Sequence, residues 1–152
     1  MRKRTLQVAL VLASVAVLGA TTTASAAAPG VVRTVLTGAA EVPGPGDNNG
    51  FGRAVVQSKP LQSQVCVNIR YFGIDAPTGA HIHEAPAGVA GDVVIDFTPL
   101  IATSPASYIA GCVSVDTVLA RELKQDPEEY YVNVHNPAYP AGAIRGQLAE
   151  AA

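Results

Sequence analysis

Gly79-Ala80-His81-Ile82-His83 and Tyr131-Val132-Asn133-Val134-His135 hold all three histidines of this 152-residue chain. In both stretches apolar and polar residues alternate with a period of two, as in a strand with one face in a core and the other on a polar side. Ile82, Val132 and Val134 claim the core. His81, His83, His135, Asn133 and Tyr131 are therefore expected on the opposite faces.

Outward from these two stretches, Val31 to Leu36, Phe51 to Gln57, Gln64 to Tyr71, Val93 to Phe97, Tyr108 to Val115 and Ala143 to Leu148 read as further strands. Pro-, Gly- and Asn-rich segments such as Pro43 to Gly50, Glu84 to Gly91 and Asn136 to Gly142 separate them. Thr117 to Lys124 reads as a short helix with Asp116 or Ser114 as its N-cap, ended by Asp126-Pro127. Short strands, regular turns and one small helix predict an all-β antiparallel sandwich or barrel. In the last strand Ile144 and Leu148 face the core, which turns Arg145 and Gln147 to the polar side. Pairing of the last two strands as a hairpin would bring Arg145 to the histidines.

The N-terminus has a different character. Arg2-Lys3-Arg4, an apolar run from Leu6 to Ala20 and Ala24-Ser25-Ala26 form the pattern of a secretory signal peptide, expected to be cleaved after residue 26. The run is short for crossing ~30 Å of hydrocarbon. A secreted, extracellular domain of residues 27–152 is expected, with no membrane span after cleavage. Without its three N-terminal basic residues the chain carries seven basic against twelve acidic side chains, a net charge of −5. Nucleic-acid binding is excluded on that balance, since phosphate neutralisation needs clustered cations. Cys66 and Cys112 are the only cysteines, and export predicts that they pair. Valines oppose both of them in strand parity, so the bridge is expected on the outer surface of a sheet or between strand edges.

Two imidazoles at i and i+2 with a third from a neighbouring strand make a three-nitrogen set suited to one copper or zinc ion. His81, His83 and His135 meet that count, with Asn133, Arg145 and Gln147 as companions on the same face. The alternative is a hydrogen-bonded network of the histidines and Arg145 that fixes the loop from Glu84 to Gly91. No catalytic residue is assigned, because the serines lack a nucleophile-elbow context and no glycine-rich phosphate loop opens a helix. Asp92 and Asp96 read as edge-strand charges rather than cation ligands.

The stretches Gly79 to His83, Gly91-Asp92-Val93-Val94, Tyr130 to His135 and Pro140-Ala141-Gly142-Ala143-Ile144-Arg145-Gly146-Gln147-Leu148 closely resemble the CHRD domain, known from chordin and from secreted bacterial proteins. The resemblance implies an immunoglobulin-like, Greek-key β-sandwich and a binding or structural module with an extracellular ligand or partner. The His-x-His pair also resembles the copper ligands of copper/zinc superoxide dismutases. That second likeness implies a mononuclear copper protein with redox or dismutase-like activity and gives Arg145 an anion-guiding role. Three histidines are too few for the two-metal site of those enzymes.

Overall fold

The computed structural model describes residues 30–150, so the expected signal segment lies outside the described residues. The strands are β1 (Val31–Thr37), β2 (Phe51–Lys59), β3 (Gln64–Phe72), β4 (Gly79–Glu84), β5 (Asp92–Asp96), β6 (Tyr108–Ser114), β7 (Tyr130–His135), β8 (Ile144–Gln147) and the short β9 (Ala149–Glu150). They form one antiparallel sheet in the order β5-β4-β7-β8-β1-β2-β3-β6, with β9 beside β1. The sheet curls so that β1-β2-β3-β6 and β5-β4-β7-β8 share one core. Val32, Leu36, Val56, Val65 and Ile69 from the first half meet Ile82, Ile95, Val132, Val134 and Ile144 from the second. The all-β, antiparallel, Greek-key expectation holds, in a form close to a barrel.

Alternation decides what enters that core. Ile82, Val132, Val134 and Ile144 are all 0 % exposed, and at about 25 cal/mol per Å² the burial of each favours this register by a few kcal/mol. Slipping β4 or β7 by one residue would drive histidine, asparagine or tyrosine inward, and slipping β8 would do the same to Arg145. The open seam between β5 and β6 is bridged by a helical turn that the sequence does not announce, α1 (Thr98–Ile101). Leu100 of this turn lies directly over Gly111 of β6, where a Cβ would come within 2.8 Å of its side chain.

Helix α2 (Thr117–Gln125) caps one end of the core with Ala120 and Leu123. Its N-cap is Asp116, whose carboxylate accepts the Val118 N–H at 2.7 Å. Ser58 Oγ of β2 donates to the Ala120 carbonyl and ties the helix to the sheet.

Cys66 and Cys112 form a disulfide between directly opposed residues of β3 and β6. It sits on the outer surface, as valine parity required, and fastens the edge strand β6. With a sequence separation of 46 it constrains the unfolded chain by roughly 4 kcal/mol in the loop-entropy model. A Cys66→Ser, Cys112→Ser variant is expected to lose between about 2 and 4 kcal/mol in urea unfolding, and a reducing agent should bring the parent protein to the same midpoint.

Candidate metal centre

The histidine face is the outer surface of β5-β4-β7-β8. Cross-strand register aligns Asp96, His81, Asn133 and Arg145 in one row, His83, Tyr131 and Gln147 in the next, and Gly79 with His135 on the other side. One residue of β5, Val94, is skipped between the partners of Ile82 and His83, a bulge beside the site. The hairpin β7–β8 expected from the sequence brings Asn133, Arg145 and Gln147 to the cluster.

His81, His83 and His135 each offer a nitrogen within 4.8 Å of the others. Their rings lie 4.9 to 6.4 Å apart between centroids. Gly79 leaves space for this convergence, since a Cβ there would stand 3.1 Å from His81 Cε1 and 3.5 Å from His135 Cδ2.

The hydrogen bonds around the rings fix which nitrogens remain available. His83 Nδ1–H donates to the Gly91 carbonyl at 2.9 Å, and His135 Nδ1–H donates to the Pro140 carbonyl at 3.1 Å. A carbonyl only accepts, so both rings are Nδ1–H tautomers with a bare Nε2. Both Nε2 atoms meet the Asn133 carboxamide, whose Oδ1 position is 3.1 Å from each. Two bare nitrogens need a donor, so the carboxamide satisfies them after a half-turn that presents its NH2 group, one hydrogen to each ring.

His81 is held differently. Its Nε2 lies 3.3 Å from the Thr98 hydroxyl and 3.5 Å from the Asp96 carboxylate, and it donates on that side. Its Nδ1 is buried with no partner among the described residues. Imidazoles that donate one N–H to a carbonyl or carboxylate and keep the other nitrogen bare are in the state that metal ligation requires.

The loop over the site is clamped from below. Arg145, only 2 % exposed, lays its guanidinium 3.4 Å from the Tyr131 ring centroid and donates to the carbonyls of Val89 at 2.8 Å and Pro86 at 3.3 Å. Tyr131 stacks in turn on His83, its centroid 4.7 Å away, and its hydroxyl accepts the Gly91 N–H at 3.2 Å. Gln147 Nε2 donates to Ala85 O at 2.9 Å and to the neighbouring carbonyls of Glu128 and Tyr130. The network expected for the loop from Glu84 to Gly91 is thus present. The anion-guiding role does not fit Arg145, because its guanidinium is buried against loop carbonyls instead of facing solvent.

Burial lowers the pKa of His81 and of His135, for His81 against the opposing pull of Asp96. Asp96 is itself lowered, mainly by its hydrogen bonds to Thr98. Glu41, which the sequence did not single out, has a buried carboxyl with one unpartnered oxygen beneath Gly142, where a Cβ would collide with it. Desolvation raises it to about 7, against the attraction of Arg145. Asp96 stands directly opposite His81 in register, a signal open to anyone who had first paired β4 with β5.

The CHRD domain family model matches residues 32–148. A curled Greek-key β domain with a three-imidazole face is the class that fold and site define. The chain belongs to the CHRD domain family. No curated protein and no solved structure matches it. No helix among the described residues is long and apolar enough to cross a membrane.

The Glu41 carboxyl gives a pH test. Its folded pKa of about 7 exceeds the unfolded value of 4.5, so the folded state binds the extra proton between these values. Its stabilising contribution is complete below pH 4.5 and is lost as pH rises through about 7. Glu41→Gln is expected to gain stability over the parent as pH rises from 5 to 8, by a few kcal/mol at most, read from denaturant midpoints across that range.

Proposed function

We propose that this CHRD domain is exported and serves as a binding module whose ligand at the histidine face is a single transition-metal ion, copper or zinc. The reading rests on one observation: each imidazole has one nitrogen engaged by an outer acceptor, and the His81 Nδ1 left over is buried without a partner. His83 and His135 would bind through Nε2 and His81 through Nδ1. Copper in such a set would supply one-electron redox chemistry of the dismutase kind, and zinc would supply Lewis acidity. Gly91, Pro140, Thr98 and Asp96 orient the rings, while Arg145 and Gln147 hold the loop that shields them.

A second reading has its own support. The Asn133 carboxamide already reaches both Nε2 atoms, so of the imidazole nitrogens a purely structural network leaves only the His81 Nδ1 without a partner among the described residues. Calorimetric titration of chelator-stripped protein separates the two. One equivalent of metal is expected, Cu(II) tighter than Zn(II), with at least a hundredfold loss in His81→Ala, His83→Ala. Asn133→Leu, which removes the amide competing for both nitrogens, should bind tighter than the parent. Binding no stronger than that of the double variant sinks the metal reading. A d–d absorption band and superoxide consumption above that of the metal-free protein are expected if copper is the resident ion.

Proton competition has a defined sign. Metal needs neutral imidazoles, and burial holds His81 and His135 below the ordinary 6.5. Proton competition at His81 and His135 is therefore expected to set in below the usual histidine range, so that a variant keeping only these two rings (His83→Ala) holds its residual metal affinity as pH falls to that range and loses it below, measured by competition against a chelator of known pH dependence.

A further inference from the structure

The outer face of β1, β2, β3 and β6 is the opposite of the histidine face in composition. These four strands contain no aspartate or glutamate, whereas residues 30–150 carry twelve. They hold Arg33, Arg53, Lys59 and Arg70, four of the seven basic residues in the same span. Arg53 is directly opposite Arg70, and Phe51 directly opposite Phe72. Like charges facing each other across antiparallel strands are destabilising, and no acidic neighbour on these strands offsets them. The guanidiniums instead lie by aromatic rings, Arg70 at 4.7 Å from Phe72 and 5.6 Å from Tyr108, Arg53 at 6.0 Å from Phe51. The same face exposes Val35 at 51 %, Phe72 at 44 %, Phe51 at 38 % and Val55 at 36 %, and a groove of about 580 Å³ runs from Arg53 and Val55 past Arg33 and Val35 to Gln147 at the border with β8.

We propose that this arginine–aromatic face binds an acidic polysaccharide, a chain of sugars bearing carboxylate groups. Guanidinium forks pair bidentately with carboxylates. Aromatic rings flanking them offer flat apolar surfaces to the C–H faces of sugar rings. Strands about 4.8 Å apart, with side chains about 7 Å apart along each strand, hold this lattice rigid. The Cys66–Cys112 bridge fixes its β6 edge. An anionic lipid surface fits less well, because the aromatic rings lie beside guanidiniums, Phe51 by Arg53 and Phe72 by Arg70, and so alternate with charge instead of forming one unbroken apolar patch.

The test uses polygalacturonate as the probe, neutral dextran as its uncharged counterpart and phosphatidylglycerol vesicles as the lipid arm, all in chelator so that the histidine site plays no part. Binding to polygalacturonate that weakens with salt, with none to dextran, is expected. Arg53→Ala with Arg70→Ala should weaken it at least tenfold, and Phe51→Ala with Phe72→Ala should also weaken it. Arg121→Ala with Lys124→Ala, the same change in net charge on α2, should leave it within twofold. All substituted side chains are solvent-facing, and thermal melts of each variant confirm the fold. Equal loss in the α2 variant, parent-like binding by the phenylalanine variant, or binding to vesicles without binding to polygalacturonate overturns the proposal.

Discussion

The rest of the molecule depends on the burial of Ile82, Val132 and Val134 between the two halves of the sheet. Each is 0 % exposed, and their positions on β4 and β7 leave His81, His83, His135, Asn133 and Tyr131 no face but the outer one. Once β7 pairs with β8 through Val134 and Ile144, Arg145 follows onto the same surface. A hydrophobic preference thus positions a polar site that contributes nothing to the core. The outer face of most antiparallel sheets is solvated. Here it is covered, because Ala85 to Gly91 folds back over it and Arg145, Gln147, Tyr131 and His83 all bind that loop.

This cover sets the chemistry of the rings. Backbone carbonyls of Gly91 and Pro140 cannot donate, so they select one tautomer for His83 and His135, and the Asp96–Thr98 pair does the same for His81 on the other nitrogen. Burial then favours the neutral forms of His81 and His135. The β7–β8 loop that carries Pro140 is itself set by Asn136, fully buried, whose Oδ1 accepts the Tyr139 N–H at 2.8 Å. A short-range turn preference therefore reaches the imidazole through one carbonyl. Tertiary packing and local turn chemistry agree on the same ring orientation, which keeps the cluster convergent.

Parity made the strands, the histidine face and the placement of Arg145 and Gln147 legible in the sequence, and the same rule put the disulfide outside. Asp116 caps α2, one of the two residues that the sequence offers for that position. The parts that were hidden have other origins. Gly91 and Pro140 act through their backbones, which side-chain patterns do not describe. Asp96 reaches His81 only through a register interrupted at Val94, and Thr98 reaches it through a helical turn opened by Thr98-Pro99 with no apolar period to mark it. Glu41 lies in a turn-rich segment where acidic residues are usually solvated, and its burial comes from the close approach of Gly142, about a hundred residues away. Arg145 was placed correctly, but its burial inverts its role. A guanidinium stacked on Tyr131 and bonded to two carbonyls organises a loop.

The two outer faces also divide the electrostatics of the chain. Asp92, Asp96 and Glu84 gather around β4 and β5, while β1, β2, β3 and β6 carry only positive charge; the acidic residues of α2 and the turn after it lie at the end of the core that the helix caps. At physiological ionic strength a field decays over about 8 Å, so each face acts on its own surroundings. The acidic side meets the cluster at Asp96 and His81, and burial favours the neutral forms of His81 and His135. Such surroundings lower the cost of bringing a cation to the rings while doing little to protonate His81 and His135, because desolvation is the largest influence on both. The basic side leaves Arg53 and Arg70 opposed without a carboxylate, an arrangement that packing within the domain does not require and that an external anion would relieve. Net charge alone, at −5 for residues 27–152, conceals this division. Strand order exposes it, because β5-β4-β7-β8 and β1-β2-β3-β6 turn their outer faces in opposite directions around one core.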